Sequence, residues 1–222
     1  MTIKKKYLFI IPARKNSKRV INKNLKKINK KPLYFWTLNE LHKLKKKYDI
    51  IVSTDSKQII KGAYNLGFNC IKRPAKLATD KSKIIHTIKY ILKNFEHKKI
   101  LYENIVLLQI TSPLRQEKDI TQSIKIFEKN KCDTLFSVFQ LSDKYKKNIL
   151  YNKLKNNFIS KTKINNLSKI FVMNGPAILI SRTKNIYNNK LYGKKISYYK
   201  MPYEKSIDIN YEYELKICEK LL

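Results

Sequence analysis

Five apolar runs, each of strand length, recur along this chain with amphipathic segments between most of them. They lie at Tyr7 to Ile11, Ile50 to Ser53, Ile105 to Leu108, Leu135 to Phe139 and Ala177 to Ile180. Strands that alternate with helices fold into a largely parallel sheet covered by helices. The pattern therefore predicts an α/β fold. A chain of 222 residues is long enough for one such domain, so we expect residues 1–222 to form a single unit.

Helix-start signals occupy most of the intervals between the runs. They predict five helices, which begin near Pro32, near Asp55 or Ser56, after Asp80, at about Glu117 and at about Tyr211. Gly67 is expected to end the second helix, because glycine readily adopts the left-handed conformation that follows a helix.

The stretch from Leu141 to Met173 breaks this alternation. It is rich in lysine and asparagine, has weak periodicity, and separates two predicted strands. We interpret it as an excursion from the sheet, such as a small β arm or a lid.

The net charge of +33, with a pI near 10.0, would ordinarily indicate a nucleic-acid partner. Only five of the 49 basic residues are arginines, however, and the lysines are spread over the whole chain. This distribution favours a solvated basic surface without a specific nucleic-acid site. A nucleic-acid-binding protein stays open as the alternative class.

Targeting and disulfide signals are weak. Pro12 ends the apolar run that starts at Tyr7, so this run is too short for a signal-peptide core. No apolar stretch of 18 residues follows it. Cys70, Cys132 and Cys218 lie far apart and form no CxxC pair, so we expect neither a disulfide framework nor a zinc site. The sequence predicts a cytoplasmic protein without membrane segments.

A basic loop follows the first predicted strand. After Pro12 it presents Arg14, Lys18, Arg19 and Lys23. Ligands of α/β proteins bind at the carboxyl ends of the strands, and such a cluster of cations suits a triphosphate. The loop is neither a GxxxxGK[ST] nor a GxGxxG motif. A lone lysine here indicates only solvated surface, whereas the ordered run as a whole indicates a site.

The order IPAR, NSK, KNL in this loop resembles the amino-terminal signature of the acylneuraminate cytidylyltransferase family, the CMP-sugar synthetases. Five further segments resemble that family in the same order: Ile51 to Asp55, Arg73 to Asp80, Leu107 to Arg115, Asn174-Gly175 and Ser206 to Asn210. The third of these is similar to the motif LLQPTSPLR and is the most specific. The resemblance covers nearly the whole chain.

The resemblance implies a Rossmann-like nucleotidyltransferase in which the anomeric hydroxyl of a nonulosonic acid attacks the α-phosphorus of CTP and pyrophosphate leaves. It implies that CTP is held by Arg14, Lys23, Asn24, Arg73, Asp80 and Ser82. Arg14, Lys23 and Gln109 are the implied catalytic residues. Two alternatives stay open, since Arg73 also suits a surface cation and Asp80 a cap of the third helix.

The sugar would contact residues of the later motifs. These candidates are Gln109, Thr111, Ser112, Arg115, Lys147, Asn174 and Gly175. Thr111 and Ser112 also suit a turn, and Arg115 a helix-end salt bridge. The resemblance implies a sugar of the sialic, legionaminic or pseudaminic type. Ile164 and Val172 stand where many sialic-acid members carry arginines, which favours a related sugar such as legionaminic or pseudaminic acid over a classical sialic acid. A synthetase of the same fold that acts on Kdo stays open as an alternative.

Asp208 is the expected ligand of Mg²⁺, with Mn²⁺ as a possible substitute, because hard cations prefer carboxylate oxygen. The family usually has a second aspartate two residues later, where this chain has Asn210. The amide oxygen of Asn210 can also ligate a metal, or the residue can cap the last helix. The resemblance further implies a homodimer formed through the excursion.

Overall fold

A computed structural model describes residues 1–17, 19–140, 151–153, 159–161 and 171–222. The strands are β1 (Ile3–Pro12), β2 (Lys27–Ile28), β3 (Lys31–Pro32), β4 (Asp49–Thr54), β5 (Asn69–Lys72), β6 (Ile100–Leu108), β7 (Thr134–Gln140), β8 (Tyr151–Lys153), β9 (Ile159–Lys161), β10 (Phe171–Met173), β11 (Ile178–Arg182) and β12 (Ile196–Lys200). The helices are α1 (Leu33–Glu40), α2 (Lys57–Asn65), α3 (Ile84–Glu96), α4 (Glu117–Asn130), α5 (Thr183–Tyr187) and α6 (Glu212–Leu221).

The main sheet is mostly parallel, in the order β10-β7-β11-β6-β1-β4-β5, and β12 also pairs with β7, along Thr134 to Val138. Strands β5, β4, β1 and β6 run parallel to one another. Strand β11 is antiparallel to both β6 and β7, and β10 is antiparallel to β7. The predicted α/β fold with a largely parallel sheet is confirmed.

Helices cover both faces of this sheet because its central strands are buried on both sides. In β1, Tyr7, Phe9 and Ile11 pack on one face, and Leu8 and Ile10 pack on the other. Helices α1, α2, α4 and α6 contribute to the first core, and α3 and α5 to the second. Such continuous apolar strands are typical of a sheet that is covered on both faces.

The five predicted strands are all present, as β1, β4, β6, β7 and β11. Strand β10 also belongs to the main sheet, although it lies within the stretch that was interpreted as an excursion, and two further strands of this sheet, β5 and β12, were not predicted. The residues of β5 are half-buried or exposed, and β12 alternates exposed with half-buried positions. Neither strand carries the apolar run that marks a buried strand.

Most helix ends agree with the predictions, and two predicted caps differ. Ser56 caps α2 by accepting a hydrogen bond from Ile59 N at 3.4 Å, and Gly67 follows this helix with a φ of +74°. Helix α4 begins at Glu117 as expected. The capping role considered for Asp80 is wrong, because α3 begins only at Ile84. The same role for Asn210 is wrong, since Tyr211 precedes the first residue of α6.

Part of the predicted excursion is described. Strands β8 and β9 pair with each other in a two-stranded antiparallel sheet of their own. Residues 141–150, 154–158 and 162–170 lie outside the described residues. Within the described ranges, no helix is both long and apolar enough to cross a membrane.

The topology brings four chain segments to one edge of the sheet. Parallel strands β1, β4 and β6 end there, at Pro12, Thr54 and Leu108. Because β11 runs in the opposite direction, the segment that precedes it, around Gly175, lies at the same edge. This edge is where an α/β fold places its ligand.

Candidate active site

A cavity of about 490 Å³ opens at this edge of the sheet. Its volume lies within the range of about 300–1,000 Å³ that is typical of small-molecule sites. The predicted site residues that line it are Arg14, Lys23, Asn24, Arg73, Asp80, Ser82, Gln109, Thr111 and Gly175. The motifs, far apart in the sequence, therefore come together around one cavity.

Arg14 and Arg73 form the cationic wall of the cavity. Arg14 Nη1 lies 2.6 Å from Asp80 Oδ1, and both side chains are about one-third exposed. Arg73 is buried and donates from Nη2 to Ser53 O at 2.9 Å, which fixes its guanidinium at the end of β4. Burial lowers the pKa of Arg73 to about 10, so the group stays charged at neutral pH. Arg73 is thus a buried part of the cavity wall. The alternative prediction that it is a surface cation is wrong.

The basic loop is held in place by hydrogen bonds of its own. Asn24 Nδ2 donates to Arg14 O at 2.9 Å, and Ser17 Oγ accepts from Lys23 N at 3.0 Å. Lys23 Nζ donates to Ile209 O, which joins the loop to the segment before α6. Desolvation by burial lowers the pKa of Lys23, while the nearby Asp208 opposes this shift. Lys23 is therefore a partly desolvated cation at the cavity wall.

Gln109 connects the loop after β6 to the segment before β11. Its Nε2 donates to Gly175 O at 2.7 Å, and its Oε1 accepts from Thr111 Oγ1 at 3.4 Å. Gly175 has a φ of +108°, and a Cβ at this position would lie 3.2 Å from Asp208 Oδ1. A side chain at position 175 would be strained and crowded, so glycine lets Asp208 approach the cavity wall.

Asp208 does not line the cavity itself but lies behind Gly175, and its carboxylate could hold a metal ion there. Its Oδ1 is buried without a hydrogen-bond partner, whereas its Oδ2 accepts from Asn210 Nδ2 at 2.9 Å. A buried carboxylate oxygen without a partner is costly, and a divalent cation is a partner that would satisfy it. The described residues contain no group of three acidic, histidine or cysteine side chains that could hold a metal by themselves.

Comparison with known proteins identifies the family of this chain. The family model described as Cytidylyltransferase matches residues 8–220. The chain belongs to the cytidylyltransferase family. The family resemblance seen in the sequence is confirmed, and the protein is a nucleotidyltransferase.

Two curated relatives and one solved structure are similar to this cytidylyltransferase. It is 32% identical over 228 residues to the CMP-N,N'-diacetyllegionaminic acid synthase of Legionella pneumophila, covering 97% of this chain and 95% of that one. It is 36% identical over 123 residues to the N-acylneuraminate cytidylyltransferase of Escherichia coli, covering 55% of this chain and 28% of that one. A CMP:2-keto-3-deoxy-manno-octonic acid synthetase complexed with CTP has a TM-score of 0.70, 14% identity and 98% coverage of both chains. At that identity the solved structure supports the fold alone, and it confirms the predicted Rossmann-like fold.

Arg115 was a candidate for contacting the sugar, but the structure places it away from the cavity. It is 1% exposed and does not line the cavity. Its Nη1 donates to Gln109 O at 3.0 Å and to Ala177 O at 2.7 Å, and its Nη2 donates to Thr37 Oγ1 at 2.9 Å. These partners are neutral oxygens, so the alternative of a helix-end salt bridge does not describe it either. Arg115 supports the loop that carries Gln109 from behind.

We predict that Arg115→Met destabilises the cytidylyltransferase by about 3 kcal/mol, because two buried carbonyl oxygens lose their donor. Urea unfolding measures this loss, with Arg182→Met, a partly exposed arginine, as the comparison. A raised KM for the sugar at unchanged stability would instead indicate that Arg115 contacts substrate.

Two other sugar candidates also lie away from the cavity. Asn174 is buried, accepts from Ser137 Oγ at 2.6 Å and donates to Ser206 Oγ at 3.1 Å. Ser112 is 1% exposed and is not part of the cavity lining. Both are structural residues, because their side chains do not reach the cavity space. Lys147 and Ile164 lie outside the described residues.

Some cavity residues were not predicted. Leu191 and Tyr192, between α5 and β12, line the cavity together with Leu179 and Thr87. They belong to no motif and lie far from the basic loop in the sequence, so no sequence signal marks them. Ser17 also lines the cavity and was not predicted as a site residue. It lies within the NSK element, which is the sequence signal that could have identified it.

Proposed function

We propose that the cytidylyltransferase transfers CMP from CTP to the anomeric hydroxyl of a nonulosonic acid of the sialic, legionaminic or pseudaminic type, with release of pyrophosphate. The observation that carries this proposal is the cavity that joins Arg14, Lys23 and Arg73 to Gln109 and Gly175 at the carboxyl edge of the sheet. The full-length similarity to a CMP-N,N'-diacetyllegionaminic acid synthase supports the class of sugar.

The cationic wall would bind the triphosphate. Phosphoryl chemistry needs neutralisation of the triphosphate charge and an in-line arrangement of the attacking and leaving oxygens. Arg73 is fixed by its hydrogen bond to Ser53 O, and Lys23 is partly desolvated, so both present charge with little reorganisation. Arg14 would exchange its ion pair with Asp80 for phosphate oxygens on binding. Ser82 and Asn24 complete the proposed nucleotide side of the cavity.

The sugar would occupy the side of the cavity near Gln109, Thr111 and Gly175. Gln109 Nε2 is fixed by Gly175 O, which orients the amide between the two halves of the cavity. Apolar side chains, including Leu179 and Tyr192, also line the cavity. They suit the acyl and methyl groups of a modified nonulosonic acid, since apolar surface gains from burial against apolar groups.

Cytidylyltransferases of this kind generally use a divalent metal ion. We propose Mg²⁺, with Mn²⁺ as a substitute, held by Asp208 together with the triphosphate. The buried and unpartnered Oδ1 of Asp208 supports this assignment. When bound, the ion would supply charge neutralisation for the triphosphate and the leaving pyrophosphate. Asp208 itself would orient the nucleotide complex against Lys23 and Gly175.

A homodimer is part of the proposal. On β10, Phe171, Val172 and Met173 are 38%, 37% and 41% exposed, and on β12 Ile196 and Tyr198 are 49% and 50% exposed. The rings of Phe171 and Tyr198 lie 4.8 Å apart, so these side chains form one continuous apolar surface. An apolar surface of this kind suits burial by a partner, and we propose a second copy of the chain.

We further propose a single domain over residues 1–222 with an excursion at about 141–173, and function in the cytoplasm, where CTP is available. All three cysteines are unpaired, which suits a reducing compartment. The alternative of a Kdo synthetase has the fold similarity in its favour, and the net charge of +33 is the observation that favours a nucleic-acid-binding protein.

The test is pyrophosphate release from CTP and Mg²⁺ with a panel of sugar acids: N-acetylneuraminic acid, a diacetyllegionaminic acid, a pseudaminic acid and Kdo. We predict release with at least one nonulosonic acid and background release with Kdo or without sugar. Release with Kdo alone would favour the alternative enzyme. Absence of release with every sugar, together with polynucleotide binding that persists at high salt, would favour the nucleic-acid alternative, because unspecific binding weakens steeply with salt.

A further inference from the structure

A chain of hydrogen bonds connects the basic loop to Asp208 through Asn210. Arg19 Nη1 donates to Asn210 Oδ1 at 2.8 Å. Asn210 Nδ2 donates to Asp208 Oδ2 at 2.9 Å and to Asp208 O at 3.1 Å. The guanidinium of Arg19 also lies over the ring of Tyr211, 5.9 Å from its centre. Four residues from two distant segments are thus joined at the start of α6.

The chemistry of these partners fixes the orientation of the Asn210 amide. A guanidinium only donates, so it must face the amide oxygen, and an ionised carboxylate only accepts, so it must face the amide nitrogen. Rotating the amide by 180° would set two donors against each other at Arg19 and two acceptors against each other at Asp208. The orientation with Oδ1 toward Arg19 is therefore the stable one.

This orientation gives the two oxygens of Asp208 different roles. Oδ2 is held by the Asn210 amide, whereas Oδ1 is buried without a hydrogen-bond partner beside Gly175. The amide oxygen of Asn210, the only atom of that side chain that can ligate a cation, is already bound by Arg19. Lys23 fixes the same segment by donating to Ile209 O.

We propose that Arg19 and Asn210 act as a positioning pair, in which Arg19 holds the amide of Asn210 so that Asn210 orients Asp208 instead of ligating the metal ion. This inference rests on the proposed function, because it assigns roles within the proposed metal site. It replaces the prediction that Asn210 is itself a metal ligand. The site then has one protein carboxylate, and the triphosphate supplies most of the remaining charge.

The test is Mn²⁺ affinity of the protein without nucleotide or sugar, measured from the electron paramagnetic resonance signal of free Mn²⁺. The variants are Asn210→Asp, Arg19→Ala and the double variant. Alone, Asn210→Asp places a carboxylate that Arg19 pairs with, so affinity should rise by less than about threefold. In the double variant the new carboxylate is released beside Asp208, and affinity should rise by about tenfold or more, as added ligand charge does at other cation sites.

Lys15→Ala is the matched control for loss of a positive charge from the same exposed loop. Arg19→Ala alone should bind Mn²⁺ more weakly than Lys15→Ala, because the Asn210 amide that orients Asp208 loses its partner. A full increase in Asn210→Asp that does not depend on Arg19 would overturn the proposal, because position 210 would then face the metal directly. Equal affinity in all variants would also overturn it. Thermal melting confirms that each variant is folded. Since no substrate is present, failure of sugar-dependent pyrophosphate release would refute the proposed function without changing this result.

Discussion

Replacing Asp208 by alanine is expected to lower kcat by about 10²-fold to 10³-fold, the scale of removing one preorganised electrostatic contact. The physical reason is that Asp208 is the carboxylate beside the cavity wall whose Oδ1 has no protein partner, so its loss removes the anionic ligand proposed for the metal. The measurement is initial rate against Mg²⁺ concentration at saturating CTP and sugar. We expect the variant to need more Mg²⁺ as well as to turn over more slowly.

Glu212→Ala is the control for this experiment. Glu212 lies four residues further along, is largely exposed, and pairs with Lys26 at 3.3 Å. Removal of this acid should leave the Mg²⁺ titration unchanged, because an exposed ion pair contributes little. If Asp208→Ala shows the same Mg²⁺ titration as the parent, the metal is held elsewhere and the segment before α6 is only structural.

The buried parts of the fold were predictable from the sequence, because burial leaves a pattern of apolar residues. Strands β1 and β6 each end in an unbroken apolar run, β11 begins with one, and these buried runs are what predicted the strands. Strands β5 and β12 lie at edges of the sheet with one side toward solvent. Their sequences reflect that partial exposure, and no apolar run distinguishes them from loops.

The site was predictable where motif residues lie in segments that follow strand ends and line the cavity. Arg14, Lys23 and Gln109 follow strand ends, and the topology brings those ends to one edge. Arg115 belongs to the same motif as Gln109, and Asn174 is the neighbour of Gly175, yet the side chains of Arg115 and Asn174 satisfy buried carbonyl and hydroxyl groups. A motif contains both the residues that contact a ligand and those that support them, and only the three-dimensional contacts separate the two.

Lys23→Ala is expected to slow turnover by about 10²-fold to 10³-fold with folding intact. Lys23 lines the cavity, and burial lowers its pKa, which means that its charge is poorly screened by water. Such a cation interacts more strongly with a developing phosphate charge than a solvated lysine does. The measurement is kcat at saturating CTP, since a defect limited to CTP affinity would disappear there.

Arg14→Ala is expected to show a loss of the same order, because Arg14 lines the same wall and reaches the cavity from the same loop. Lys26→Ala is the matched control, since Lys26 lies three residues after Lys23 in the loop segment but pairs with the exposed Glu212. It should keep parental turnover.

Lys23 also donates to Ile209 O, so part of its effect would come from loosening the segment that carries Asp208. A Mg²⁺ titration of Lys23→Ala separates the two contributions, because only loss of that tie shifts the titration, whereas loss of the charge lowers kcat at every Mg²⁺ concentration. Near-parental kcat in both Lys23→Ala and Arg14→Ala would refute the assignment of this loop to the triphosphate.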